Sequence, residues 1–519
     1  MLFNSYEFIL VFLPLTLAVF IGLKRAGAGH LAVPWLVAAS LFFYAWWNPV
    51  YLTLIGASIA VNYSAGLVLG GQFRWAQALG QTARKWIATG GVAFNIGLIA
   101  YFKYAGFLVE TINAATGAGF SLGPVLLPLA ISFFTFQQIA YVVDTYKGAP
   151  CEAHFWRYAL FVSFFPQLIA GPVVHARTVL PQFQRLDARS YQTHNLAVGL
   201  AMFGMGLVKK TVIADSVAVY ANPVFLAADG GAMPDLFTAW GGALAYTFQL
   251  YFDFSGYSDM AIGAALMFGV RLPLNFNSPY KALSISDFWR RWHMTLSAFL
   301  RDYLYIALGG NRRGKARRYA NLMTTMALGG LWHGAGWTFV MWGVLHGAYL
   351  CINHGWNAIA PKAMRQGAAY RAAAWGLTFL AVVVGWVFFR AASFEGAWRI
   401  LEGMAGLNGV AVPAGLAAHL GPLGAWLTAN GYSDVSLSGQ QFVLSWAWII
   451  VLLGVVLTCP NSQQILSRYR PAQETGGLAA AKPRVAWRMS RGWAVATGVL
   501  FAIGLFALPR VSEFLYFQF

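Results

Sequence analysis

The chain of 519 residues is 59% hydrophobic and 16% aromatic, and only 10% of its residues are charged. This composition excludes an ordinary soluble globule, in which roughly a quarter of the residues carry a charge. A formal net charge of +18 would suggest a nucleic-acid partner for a soluble protein. Here the basic residues gather in a few loops, as they do in the cytoplasmic loops of membrane proteins, and nucleic acid is not needed to explain them.

Apolar stretches of membrane-spanning length recur along the whole chain. A helix needs roughly 17–25 apolar residues to cross about 30 Å of hydrocarbon. Such stretches begin near residues 8, 31, 50, 86, 124, 154, 196, 236, 320, 372, 441 and 493. They predict an all-α, polytopic integral membrane protein with about eleven or twelve helices, some of them re-entrant or interfacial, in one domain over residues 1–519.

The charges of two late loops predict an orientation. Residues 468–491 contain six basic residues and one acidic residue, whereas residues 391–440 contain one basic and three acidic residues. Positively charged loops remain in the cytoplasm. We therefore expect the first loop to be cytoplasmic, the second to lie outside, and the C-terminal tail, residues 510–519, to end on the extracytoplasmic face.

The most basic segment, residues 271–319, has ten Lys or Arg residues and two Asp. Its central part, residues 286–297, mixes aromatic and charged residues at helical spacing, which predicts an amphipathic, half-buried helix capped by Ser286. The apolar face of that helix would carry three large side chains: Trp289, Trp292 and Leu296.

Two interpretations of this amphipathic segment remain open. It anchors the chain at the lipid headgroups, or it forms a cytoplasmic mouth that attracts an anionic donor such as an acyl-CoA. In the second interpretation, Arg290 and Arg291 would meet the phosphates of the donor, and Trp292 would also belong to the donor-binding site.

A histidine lies inside an apolar run of bilayer length. His333 stands between Trp332 and Gly334 in the run 327–350. Ionisable groups at membrane depth are rare and usually functional. Nearby glycines would let another backbone or a substrate approach the ring closely. The alternative is tight helix packing, with the imidazole bonded to a neighbouring polar group.

A metal site is not predicted. On one helix His346 would lie thirteen residues from His333, about 220° around the axis, and no zinc-binding pattern accompanies the pair. The three cysteines are widely separated and have no metal-ligand spacing: Cys151, Cys351 and Cys459.

Two other segments at membrane depth are unusually polar, residues 132–138 and 251–259, and both are expected to face the bundle interior. Asp253 and Asp259 cannot rest against lipid without a large cost, so they should pair with arginines or line a wet cavity. A serine hydrolase is not expected, because no Gly-x-Ser-x-Gly elbow is present.

Six motifs spread over most of the chain carry a family resemblance. They are Phe-Tyr-Ala-Trp-Trp at 43–47, Phe-Phe-Pro-Gln-Leu-Ile-Ala-Gly-Pro at 164–172, and the stretches 253–259, 287–297, 308–312 and 331–334. Together they resemble the membrane-bound O-acyltransferase family, specifically the bacterial branch that includes alginate O-acetyltransferases. Family members carry a catalytic histidine in an apolar Trp-His-Gly helix and a His, Asn or Asp some forty residues before it. The matching positions here are His333 and His293.

The resemblance implies transfer of an acetyl group from a cytoplasmic acyl-CoA to an extracytoplasmic polysaccharide across a bacterial inner membrane. Alginate is the expected acceptor, and cellulose and peptidoglycan are alternatives. His333 would act as general base, since an apolar surrounding keeps the ring neutral. His293 would orient the donor or hold the oxyanion. No cofactor is expected, because acetyl-CoA is a substrate, and an extracytoplasmic SGNH-type acetyltransferase is the expected partner.

The C-terminal residues 514–519 resemble the Phe-Ile-Tyr-Phe tail found in this bacterial branch. By that resemblance Tyr516 receives the acyl group and relays it, whereas a purely structural reading makes the tail an aromatic belt at the membrane surface. A transporter or flippase that moves acetyl groups or lipid-linked sugar is a competing class of function. Release of CoA thiol distinguishes an enzyme from such a transporter.

Overall fold

The computed structural model of the chain describes residues 1–123, 125–186, 191–361, 365, 367–473, 485–508 and 515. Helices provide nearly all the regular structure of these residues. In the first part of the chain the α-helices are Leu13–Arg25, Ala32–Ala45, Tyr51–Leu69, Arg74–Gln77, Gln81–Ile99, Ala105–Thr116, Ile131–Tyr146, Phe155–Ser163, Phe165–Leu168, Ala176–Leu186 and Thr193–Val208. Glu7–Phe12 and Ala100–Tyr104 are π-helical, and Gly29–Leu31 is a 3₁₀ turn.

The second part of the chain contains the longest helices. Its α-helices are Asp215–Asp229, Leu236–Met267, Ile285–Trp289, Met294–Phe299, Gly314–His333, Trp337–Ile359, Ala368–Arg390, Phe394–Met404, Ala414–Ala417, Pro422–Ala429, Gly439–Thr458, Ser462–Ile465 and Arg491–Ala507. Lys209–Ala214 and Leu300–Tyr305 are π-helical, and Pro279–Lys281 and Ser467–Tyr469 are 3₁₀ turns. Two short strands, Val412–Pro413 and Ser433–Asp434, pair in parallel.

Serine side chains begin four of the helices. In each case the hydroxyl oxygen accepts a hydrogen bond from the backbone N–H three residues later, which satisfies one of the donors that a helix start leaves free. The four serines are Ser284, Ser393, Ser438 and Ser490. The cap at Ser284 corrects the prediction that Ser286 would begin the basic helix.

Six helical segments of the described residues are long and apolar enough to cross a membrane: Glu7–Arg25, Tyr51–Leu69, Gln81–Thr116, Thr193–Asp229, Ala368–Arg390 and Gly439–Thr458. This confirms an all-α, multi-pass membrane protein. These six are fewer than the expected eleven or twelve spans, because some apolar stretches fold into shorter helices. The nine-residue helix Phe155–Ser163, for example, extends only about 14 Å at 1.5 Å per residue.

The chain divides into two compact units. The first contains residues 1–207, 257–275 and 462–509, and the second contains residues 208–256, 276–461 and 510–519. Both histidines singled out by the sequence belong to the second unit, and so do the aromatic rings around them.

Candidate active site

The apolar run around His333 forms two helices and not one. The helix Gly314–His333 ends at His333, and the next helix, Trp337–Ile359, begins after a short break. Gly334 and Gly336 are in extended conformation, with φ of −155° and −165°. These two helices, called the hairpin below, place His333 at the C-terminal end of the first helix.

Glycines close the hairpin. A Cβ atom at Gly330 would overlap the carbonyl oxygen of Phe339, and a Cβ atom at Gly343 would overlap the carbonyl oxygen of Met326. The two backbones therefore touch where these glycines face each other, as small residues allow between membrane helices. Of the two explanations offered for the glycines, the structure shows the approach of another backbone.

His333 is enclosed by aromatic rings. Its side chain is only 4% exposed, and the ring centroids of Trp332, Trp342 and Phe389 lie 5.0, 5.1 and 5.2 Å from its own. Phe389 comes from the helix Ala368–Arg390, so three elements fix the imidazole. Such an environment excludes bulk water and favours the neutral ring.

His293 lies beside His333. The two ring centroids are 6.1 Å apart, and His293 is fully buried. Phe254, from the long helix Leu236–Met267, packs edge-on against His293 at 4.8 Å. Burial lowers the pKa of the His293 imidazole well below its ordinary value, because desolvation disfavours the charged ring. The structure thus brings together the two histidines that the sequence singled out.

The backbone at His293 is left-handed, with φ of +43° and ψ of 52°. It separates the short helices Ile285–Trp289 and Met294–Phe299. The single amphipathic helix predicted for residues 286–297 is therefore wrong in outline. Its apolar face was placed correctly, because Trp289, Trp292 and Leu296 are all buried.

The predicted donor-binding residues occupy three different environments. Arg290 is exposed, and its Nε donates to the Ser286 carbonyl oxygen at 3.1 Å. Arg291 is half-buried, with its Nε 3.0 Å from the carboxylate of Asp287. Trp292 is only 3% exposed and packs in the core, 4.9 Å from the ring of Trp386. Arg290 is therefore the one of the three that faces solvent.

A third histidine belongs to the same aromatic region. Trp342 stacks near both His333 and His346, with centroid distances of 5.1 and 4.9 Å. Trp289 Nε1 donates a hydrogen bond to His346 Nδ1 at 3.2 Å. Because an indole N–H can only donate, the proton of the neutral imidazole lies on Nε2. The 220° separation predicted for the two histidines fails because the run breaks between them. The sequence signal for the contact between Trp342 and His346 was their four-residue spacing, which places both on one face of a helix.

Buried charges lie next to this region. Lys210 Nζ is 2.7 Å from a carboxylate oxygen of Asp253 and 2.7 Å from one of Asp215. Asp253 was expected to pair with an arginine or to line a wet cavity, and it pairs with a lysine. In the first unit, Asp259 accepts a hydrogen bond from the Ser462 hydroxyl at 2.6 Å.

A metal site and the C-terminal tail were also considered in the sequence. Within the described residues, no group of three or more His, Cys, Asp or Glu side chains could hold a metal ion. Of the tail 510–519 the structure describes Leu515, and Tyr516 lies outside the described residues.

The helices define a multi-pass membrane protein, and its buried histidine pair is surrounded by aromatic rings. Residues 152–394 match the MBOAT, membrane-bound O-acyltransferase family. The chain belongs to this family, and it is an acyltransferase.

Three relatives place the chain within the family. It is 45% identical over 441 residues to the peptidoglycan O-acetyltransferase of Helicobacter pylori, covering 79% of this chain and 81% of that protein. It is 45% identical over 410 residues to the probable alginate O-acetylase of Azotobacter vinelandii, covering 78% of each. It is 44% identical over 411 residues to the probable alginate O-acetylase of Pseudomonas aeruginosa, covering 78% of this chain and 75% of that one. The matched bacterial branch confirms the resemblance carried by the six sequence motifs.

Proposed function

We propose that this enzyme takes an acetyl group from a cytoplasmic acyl-CoA and passes it across the bacterial inner membrane to O-acetylate an extracytoplasmic polysaccharide, most directly alginate. The observation that carries this proposal is the buried histidine pair, with ring centroids 6.1 Å apart and aromatic rings around them. The names of the alginate and peptidoglycan O-acetylating relatives support the acetyl group and the polysaccharide acceptor.

His333 is the proposed general base. A thioester is already activated, so the slow step needs a base that removes a hydroxyl proton during attack. The lone pair of the neutral imidazole takes the proton of the acceptor hydroxyl. At the same time, the hydroxyl oxygen bonds to the thioester carbonyl carbon. The C–S bond then breaks, and the imidazolium returns the proton to the departing CoA sulfur. The products are CoA thiol and an acetyl ester.

His293 is proposed to position the donor. Its ring packs against the rings of Phe254 and Phe276, with centroid distances of 4.8 and 6.5 Å. A neutral imidazole carries one N–H, which can donate to the thioester carbonyl and to the oxyanion that develops there. This assignment gives each histidine one role, proton removal for His333 and charge stabilisation for His293.

The acceptor of the first step is proposed to be Tyr516. A phenol with a pKa of about 10 is a better leaving group than an aliphatic alcohol. An acetyl-tyrosine therefore keeps enough transfer potential for a second step, in which a hydroxyl of an SGNH-type acetyltransferase or of the sugar takes the acetyl group and the phenol is restored. The acidic loop 391–440 and the basic loop 468–491 support an extracytoplasmic position for the tail.

The acetyl-tyrosine can be observed directly. Purified enzyme in nanodiscs, incubated with acetyl-CoA, is expected to yield a C-terminal peptide that carries one acetyl group on Tyr516. The adduct should be absent from His333→Ala and from Tyr516→Phe, and CoA thiol should accumulate in the wild type alone. An unmodified Tyr516 in a preparation that releases CoA would refute the relay, and absence of any CoA release would favour a transporter.

Arg290 is expected to help capture the donor. Arg290→Ala should raise KM for acetyl-CoA roughly three- to tenfold and leave kcat unchanged, because an exposed charge contributes a modest, salt-screened attraction. The measurement is the initial rate of CoA release at several salt concentrations. Arg301→Ala is the matched control, since Arg301 is another exposed arginine of the same basic segment, paired with Asp302. Equal effects of the two variants on KM would contradict a specific role for Arg290.

Peptidoglycan is the second candidate acceptor. The Helicobacter pylori relative that bears this name is as similar to the chain as the alginate relatives are and is matched over slightly more of its length. Expression of the enzyme with its genomic partner, followed by ester analysis of both polymers, separates the two acceptors.

A further inference from the structure

Two buried carboxylates share one ammonium group in the second unit. Lys210 Nζ is 2.7 Å from Asp215 Oδ1 and 2.7 Å from Asp253 Oδ1. All three side chains are almost completely removed from solvent, with side-chain exposures of 2–3%. These residues are called the lysine cluster below. Charges at such depth are costly unless paired, and each carboxylate gains its pairing from the same lysine.

Asp253 makes a further contact. The second oxygen of Asp253, Oδ2, accepts a hydrogen bond from the backbone N–H of Leu515 at 3.3 Å. Leu515 is itself buried, with 4% exposure. Leu515 is thus buried in the second unit, where its N–H is bonded to the carboxylate of Asp253. The two residues are far apart in sequence. Hydrogen bonds to charged acceptors are stronger than those between neutral groups.

Asp253 is followed in its helix by a residue that contacts the histidine pair. The next residue in the same helix, Phe254, has its ring 4.8 Å from that of His293, and His293 lies 6.1 Å from His333. Leu515 precedes Tyr516 by one residue in the sequence. The contact between Leu515 and Asp253 therefore lies one residue along the chain from the proposed acyl acceptor.

We propose that Asp253 is the docking point of the C-terminal tail, and that Lys210 keeps its carboxylate ionised and aimed at the Leu515 N–H. Asp253 is then a positioning residue, and any effect that it has on acetyl transfer rests on the relay proposed above. The docking itself is a separate property, because a tail can be held in place whether or not its tyrosine is acetylated.

Docking is measured without activity by carboxypeptidase digestion of the purified protein with its native C-terminus, followed by intact-mass analysis. Asp253→Ala should be trimmed about tenfold faster than the wild type, because the tail loses its buried acceptor. Asp215→Ala is the matched control: it removes an equally close partner of Lys210 and leaves Asp253 in place. Equal trimming of the two variants would overturn the proposal.

A second pair of variants leaves the lysine cluster intact. Leu515→Pro removes the N–H donor, whereas Leu515→Met keeps both the donor and the side-chain volume. Fast trimming is expected for Leu515→Pro alone, accompanied by a roughly tenfold loss of Tyr516 acetylation. Slow trimming of Leu515→Pro would refute docking at Asp253. Fast trimming in an enzyme whose wild type never acetylates Tyr516 would keep the docking and refute the relay.

Discussion

Replacement of His333 by alanine is expected to lower the rate of CoA release by roughly 10²- to 10⁴-fold, the usual contribution of a positioned general base. KM for acetyl-CoA should change little, because the proposed proton transfers of this ring occur during the reaction and not in ground-state binding of the donor. His333→Gln should show the same loss, since an amide fills much of the space but cannot take the proton. The readout is steady-state thiol release in nanodiscs at saturating acetyl-CoA.

His354→Ala is the control for this prediction. His354 belongs to the second helix of the hairpin but is half-buried near its end, outside the aromatic region around His333. It should retain wild-type turnover. Substantial turnover in folded His333→Gln would show that another group removes the proton, and the proposed mechanism would then fail.

Gly343→Ala is expected to unfold or severely weaken the hairpin. The added methyl group would overlap the Met326 carbonyl oxygen, and a backbone atom cannot swing aside as a side chain can. Overpacking of this kind costs about 1–3 kcal/mol and often more at a backbone contact. The expected result is a clearly lower melting temperature in detergent, with loss of acyltransfer in proportion to the unfolded fraction.

Gly355→Ala on the same helix is the matched control. A Cβ atom there meets no atom within 4 Å, and alanine favours the helix over glycine. Its melting temperature should equal or exceed that of the wild type. If Gly343→Ala were tolerated as well as Gly355→Ala, the close backbone contact between the two hairpin helices would not exist in solution.

The sequence was sufficient for the fold class, and it singled out two histidines whose ring centroids lie 6.1 Å apart in the structure. Composition and apolar stretches indicated a helical membrane protein, and the depth of His333 in an apolar run marked it as unusual. His293 could be assigned only through family resemblance. Nothing in the local pattern shows that its ring reaches His333, because that contact depends on how separate helices pack.

Local details of the site were harder to predict. The extended backbone of Gly334 divides an apolar run that reads as one helix, and apolar periodicity alone does not detect such a break. Ser286 was predicted to cap the basic helix, and the structure places the cap two residues earlier, at Ser284. Asp253 clearly needed a cationic partner at membrane depth. That this partner is Lys210 depends on how two segments distant in sequence pack together, and residue spacing does not predict such packing.

The left-handed main chain at residue 293 has a consequence for how this position can vary. With φ at +43°, a β-branched or bulky side chain would be disfavoured whatever its chemistry, whereas His, Asn and Asp tolerate this conformation better than most residues. These are the three residue types that the family resemblance allows at the position. The backbone conformation therefore restricts which residue types position 293 tolerates, independently of any role in proton transfer or oxyanion binding. A comparison of His293→Asn with His293→Ala separates the cost of bending the chain from the cost of losing an imidazole.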